Sequence, residues 1–202
     1  QATHALKVEQ IMKALSKVFL FSLLSAIHLY VSAEDFTVGE ITVPRGERVS
    51  GFIIVPEGMD EGSTIPVTVV HGANDGPVLA LIAGIHGYEY PPITALQAMR
   101  TQVDPAALSG TIILVHIANM PAFLGRTIYY SPGDGKNLNR MFPGDPDGSI
   151  SQRIAHILTT EVIDQANYLI DLHGGDGNEA LRPYVYMPVT GDAVFDSKIE
   201  GL

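Results

Sequence analysis

The chain has 202 residues, 46% of them hydrophobic and 17% charged, the composition of one globular domain with a sizeable core. Lys and Arg total 12 against 22 Asp and Glu, and no basic run offsets the formal net charge of −10, which argues against nucleic acid as a partner. There is no cysteine, so disulfides, thiolate zinc sites and a cysteine nucleophile are excluded, and any metal must be held by His and carboxylate.

In chain order, residues 12–17 form a short basic segment, residues 18–31 are largely apolar, and Val31 and Ala33 stand at the −3 and −1 positions that a signal peptidase accepts. The apolar stretch is too short to span a bilayer comfortably. Residues 1–33 are therefore expected to be an upstream piece followed by a secretory signal beginning at Met12. The mature protein then starts near Glu34, is exported to the periplasm or secreted, and keeps no stable membrane span.

Residues 34–70 alternate apolar and polar positions between Gly and Pro breaks and predict short antiparallel strands. Residues 72–77 read as a turn, and the continuous apolar run at 78–85 as a strand buried on both faces. Pro91 and Pro92 open a helix over 93–99, and a second buried strand follows at 111–117. Residues 119–148, rich in Pro, Gly and Asp, read as a long functional loop. Ser149 or Ser151 caps a helix running to Ile163, and residues 168–172 read as a third buried strand. The pattern predicts an α/β fold: a mixed, largely parallel central sheet with helices on both faces.

Three motifs carry the chemistry. His86 and Glu89 lie three residues apart where a buried strand gives way to a helix, and ligands of open α/β sheets bind at carboxyl strand ends. His173, in Asp171-Leu172-His173-Gly174-Gly175, ends another buried strand. His, Glu and His are the ligand set of a catalytic zinc site with one position left for water. Asp171 shares a strand face with His173 and is a candidate partner for a ligand imidazole, or else a cap for a neighbouring loop. Between them, Gly135-Lys136 lacks the flanking residues of a phosphate loop, having Tyr130 and Asn137 where Gly and Ser/Thr are required. Asn139-Arg140 instead offers a fork for a carboxylate, or an arginine bracing its own loop. His71, His116 and His156 read as structural, His116 as a satisfied residue of a buried strand.

Together the motifs resemble the succinylglutamate desuccinylase/aspartoacylase family, a branch of the zinc carboxypeptidase-like fold, over about residues 76–183. The resemblance implies that His86, Glu89 and His173 bind one zinc ion and that Asn139 and Arg140 hold the free carboxylate of the substrate. It also implies that Arg126, in Gly125-Arg126-Thr127, polarises the scissile carbonyl. A glutamate general base is expected on a later strand. Residues 187–202 offer only Glu200, and Glu179 is expected to shape the pocket. Residues 34–202 are thus expected to be the N-terminal portion of a catalytic domain truncated at its C-terminus.

The expected function is zinc-dependent hydrolysis of the amide bond of an N-acyl amino acid. The rivals are an exported metallocarboxypeptidase acting on peptides or cell-wall peptides, and a non-catalytic metal- or carboxylate-binding fragment. The expected partner is a small N-acyl amino acid or peptide with a free carboxylate. The acyl group, the amino acid and the oligomeric state stay open.

Overall fold

A computed structural model of the chain describes residues 34–201. The segment read as an export signal lies outside the described residues.

A small hairpin, β1 (Phe36–Val38) and β2 (Ile41–Val43), precedes a five-stranded sheet. The sheet contains β3 (Glu47–Val55), β4 (Ser63–His71), β5 (Asn74–Ala83), β6 (Ser109–Val115) and β7 (Tyr168–Leu172), in the spatial order β3-β4-β6-β5-β7. The β3–β4 and β4–β6 ladders are antiparallel, and β6–β5 and β5–β7 are parallel. Only β4 therefore runs against the other four strands, which is the mixed, largely parallel sheet expected.

Alternation along β5 explains the layers. Ala80 and Ile82 join Ile113 and Val115 of β6 in one apolar cluster, and Leu81 and Ala83 join Leu114 in another on the opposite face. Helix α1 (Tyr90–Met99) covers the second cluster with Ile93 and Leu96. Helix α3 (Ile150–Leu158) covers the first with Ile150, Ile154, Ala155 and Leu158, an i, i+4, i+8 stripe. Burying each of these Ile and Leu side chains contributes about 1.5–3 kcal/mol. Ser149 is the N-cap of α3, its backbone N–H donating to Gln152 Oε1 at 3.2 Å. A π-helical turn, Thr159–Ile163, extends α3 to the residue where the helix was expected to end.

Three expectations are corrected. The strand at 168–172 forms, but as the edge of the described sheet, with Leu169 and Ile170 exposed rather than buried. An apolar run marks a strand but does not say whether both of its edges are paired. Within the stretch read as loop, Met120–Gly125 is a helix, α2, because Asn119 Oδ1 accepts from Ala122 N at 3.1 Å and Pro121 suits a first turn. His116 lies just past β6, and of its two ring nitrogens Nε2 meets Thr68 Oγ1 at 2.8 Å while Nδ1 has no hydrogen-bond partner.

One buried cation ties the strands to α3. Arg153, 3% exposed, donates to the carbonyls of Pro56, Gly148, Asp60 and Glu61 and pairs with the Asp60 carboxylate at 2.6 Å. The β3–β4 connection is thereby held against the start of α3. No helix among the described residues is long and apolar enough to cross a membrane.

Candidate functional site

The site forms where β5 and β7 end side by side. Ala83 is in register with Leu172 on the neighbouring parallel strand, so His86 and His173 emerge at the same carboxyl edge. The chain leaves β5 toward β6 on one side and returns to β7 on the other, the crossing point at which such sheets open a crevice.

Backbone sterics shape the turn that carries His86. Gly84 has φ +72°, and a Cβ there would stand 3.0 Å from Ile117 Cα. At Gly87 a Cβ would fall 2.2 Å from the Ala122 carbonyl carbon, so only glycine lets the turn lie on α2. Asn119, wholly buried, locks this contact: its backbone N–H donates to Gly84 O at 2.9 Å and its Nδ2 to Ile85 O at 3.3 Å.

His86, Glu89 and His173 converge. The Glu89 carboxylate bridges the two imidazoles, with Oε1 2.7 Å from His86 Nδ1 and Oε2 2.8 Å from His173 Nδ1. Gly174 N donates to Glu89 Oε2 at 3.1 Å. One donor atom from each residue lies within 4.8 Å of the others. His86 and Glu89 are buried, whereas His173 opens to solvent. The far nitrogens are also held: His173 Nε2 lies 2.9 Å from Asp171 Oδ2, and His86 Nε2 lies 3.2 Å from Asn137 Oδ1. Each imidazole is thus anchored on one nitrogen and faces the centre with the other, the arrangement that orients histidine ligands in metal sites.

The electrostatics follow from this geometry. Burial pushes the Glu89 carboxyl up, but hydrogen bonds from His173 and His86, the His173 charge and the Gly174 N–H outweigh it and hold it down to about 2. His173 is pushed up to about 10 by hydrogen bonds to Asp171 and Glu89, against the opposing effect of burial. The cluster is a chain of carboxylate, imidazole and carboxylate whose donor atoms could hold a cation.

The arginines stand apart from this cluster. Arg126 caps α2 in the left-handed conformation at φ 52°, with its side chain exposed. Arg140 is exposed at the end of a 3-10 turn, Leu138–Arg140, and donates through Nη1 to Asn139 O at 3.1 Å. Among the described residues, no contact joins either guanidinium to the triad. The bracing of its own loop holds for one N–H of Arg140 and leaves its other donors available. Asn137 positions this turn, its Oδ1 accepting from Asn139 N at 3.0 Å. Glu179 sits in a turn and accepts from Asp176 N at 3.3 Å, and Glu200 lies in an exposed helix, α4 (Ala193–Glu200), not a strand.

Three contributors escaped the sequence reading. Asn119 had a signal, an Asn immediately before Met-Pro at a helix start. Asn137 and Tyr129 had none, since each reaches His86 only through the fold; the Tyr129 ring stands edge-on to His86 with centroids 4.9 Å apart.

A family model described as the succinylglutamate desuccinylase/aspartoacylase catalytic domain matches residues 75–197, well over half of the chain. The chain belongs to this family. An N-alpha-acetyl-L-2,4-diaminobutyric acid deacetylase of Halomonas elongata is 40% identical over 148 residues, covering 71% of this chain and 42% of that protein. A succinylglutamate desuccinylase/aspartoacylase structure from Rhodobacter sphaeroides superposes with a TM-score of 0.57 at 34% identity, covering 62% of this chain and 39% of that one. The product-bound ectoine utilization protein EutE of Ruegeria pomeroyi superposes with the same TM-score of 0.57 at 31% identity, covering 64% and 41%. The chain thus spans about two fifths of the length of these relatives. The family match contains all three residues of the triad and both residues of the Asn139-Arg140 pair.

Proposed function

We propose that this chain carries the metal-holding part of a zinc-dependent N-acyl amino acid deacylase. The observation that carries the reading is the convergence of His86, Glu89 and His173 at adjacent strand ends, inside the stretch that matches the family. The donor set fits zinc: two imidazoles and a carboxylate, each imidazole backed on its far nitrogen. The Halomonas relative makes N-acetyl-2,4-diaminobutyrate the first substrate to try.

Bound zinc supplies Lewis acidity and brings the pKa of water toward neutrality. The chain's residues do the rest. Asp171 and Asn137 fix the imidazoles, so no reorganisation is needed when substrate arrives. Arg140, with Asn139, takes the substrate's free carboxylate through the guanidinium donors that its own loop does not use. Arg126 neutralises negative charge developing on the carbonyl oxygen. Neither Glu179, engaged in its own turn, nor Glu200, in an exposed helix, is assigned as the general base. Cleavage takes place in the periplasm or outside the cell, after removal of a signal ending at Ala33.

The test uses the full-length protein. Metal content is measured by atomic spectroscopy, and hydrolysis is followed on N-acetyl-2,4-diaminobutyrate, N-acetylaspartate, N-succinylglutamate and a short peptide. Zinc-dependent release of an acyl group from at least one N-acyl amino acid supports the reading. Cleavage of the peptide alone favours a carboxypeptidase, and no zinc-dependent cleavage at all removes the proposal.

A further inference from the structure

The loop between α2 and the Asn139-Arg140 turn reaches the triad twice. Tyr130 pairs with Asn137 in an antiparallel bridge, and Ser131 N donates to Lys136 O at 2.9 Å, so residues 130–137 fold back on themselves. The two ends of this fold meet the same imidazole. Tyr129 packs edge-on against His86 with ring centroids 4.9 Å apart, and Asn137 Oδ1 lies 3.2 Å from His86 Nε2. Asn137 Oδ1 also accepts from Asn139 N at 3.0 Å, which sets the turn carrying Asn139 and Arg140.

A second loop, which follows His173, is fixed to the triad on its own. Gly174 N donates to Glu89 Oε2 at 3.1 Å, and Gly177 N donates to Tyr88 O at 3.0 Å. Gly177 has φ +53°, and a Cβ there would run into the Tyr88 ring, so this loop lies directly on the His86 turn. Among the described residues the two loops are joined by the hydrogen bond from the Tyr129 hydroxyl to Asp176 Oδ2, at 2.9 Å. Asp134 fastens the first loop to the start of α3, and Tyr129 fastens it to the loop of the triad.

We propose that Tyr129 is a positioning residue whose hydroxyl, held by Asp176, keeps the Asn139-Arg140 fork in register with the triad. The inference rests on the deacylase reading, in which that fork takes the substrate's free carboxylate. The path between them is short. Tyr129 precedes the Tyr130–Asn137 bridge, and Asn137 sets the turn of the fork. Without the hydroxyl bond the fork drifts relative to the triad, carboxylate and amide no longer reach their partners together, and binding loses part of its preorganisation. Tyr129→Phe leaves the metal ligands in place, because His86 stays bonded to Glu89 and phenylalanine keeps the ring beside it.

The test uses the zinc-loaded full-length enzyme and whichever of N-acetyl-2,4-diaminobutyrate, N-acetylaspartate and N-succinylglutamate the wild type hydrolyses. Tyr129→Phe should raise KM about three- to tenfold, the net worth of one hydrogen bond, and move kcat less. Asp176→Ala should do the same, and the double variant should do no more than either alone. Asp176→Asn keeps an acceptor for the hydroxyl, so its KM should lie closer to wild type than that of Asp176→Ala. Zinc should stay at about one per chain in every variant, and calorimetry of the released amino acid should show the same binding shift without turnover. A Tyr129→Phe KM equal to wild type, or single effects that simply add, overturns this inference while the deacylase reading stands. Loss of zinc from Tyr129→Phe also overturns it, since Tyr129 would then be a prop for His86. A wild type that hydrolyses none of the three substrates overturns both.

Discussion

Glu89 Oε2 lies 2.8 Å from His173 Nδ1, across 84 residues of sequence. The contact joins a local H-x-x-E turn to a second strand end and makes one centre of two motifs that are each common alone. Parallel pairing of β5 with β7 accounts for it, since Ala83 and Leu172 are in register and both histidines follow within three residues.

Asp171 holds His173 Nε2 at 2.9 Å, so on the proposed zinc reading it acts on the metal only through that imidazole. Asp171→Ala should weaken zinc binding about 10- to 100-fold while leaving a stoichiometry of about one at saturation. Competition with a chromogenic chelator measures it. An unchanged affinity would show that Asp171 caps a loop and does not orient the ligand.

Arg153→Met removes a cation whose partners are four carbonyls and the Asp60 carboxylate. Breaking a buried pair from one side costs about 3–5 kcal/mol. Urea unfolding should show a midpoint shifted down accordingly. A loss below about 1 kcal/mol, the range of exposed pairs, would mean that water replaces these contacts freely.

Asp134 ties the loop before Leu138 to the start of α3. It accepts from Ser149 Oγ at 2.7 Å, Ser151 N at 3.0 Å, Ser151 Oγ at 2.9 Å and Lys136 N at 3.1 Å. Burial raises its carboxyl, but these bonds outweigh it and hold it below the ordinary 3.8. A depressed carboxyl contributes stability that is fully present above its unfolded pKa and lost as pH falls through the folded one. Asp134→Asn should therefore destabilise the protein at pH 7 and make progressively less difference below pH 3.8. Unfolding curves at pH 7 and pH 3 check the sign; a larger difference at pH 3 would refute it.

Arg140→Lys keeps the charge but loses the planar fork. On the deacylase reading it should raise KM about tenfold or more and move kcat less, as expected for lost uniform binding of a carboxylate. Steady-state kinetics of the full-length enzyme measure the split. An unchanged KM would leave Arg140 as a brace for Asn139.

Much of the centre was legible in the sequence because its geometry is carried by strand ends, and buried strands announce themselves as apolar runs. His86 and Glu89 lie on one turn, and His173 needed only a neighbouring strand of the same direction. The two-residue period also placed Asp171 on the face of His173, as a partner for its imidazole or a cap for a neighbouring loop. What stayed hidden depends on tertiary packing. Asn137 and Tyr129 reach His86 from a loop whose path is set by the fully buried Leu138 and the Asp134 network. The edge position of β7 and the burial of Arg153 in a polar-looking stretch of α3 depend on neighbours that local periodicity does not encode.

The most direct measurement is the zinc stoichiometry of the full-length protein and its His86→Ala and His173→Ala variants, purified without added metal and then dialysed against trace zinc. Wild type should retain about one zinc per chain and each variant close to none. A wild-type protein without zinc, or variants that keep it, would contradict the metal centre on which the account rests.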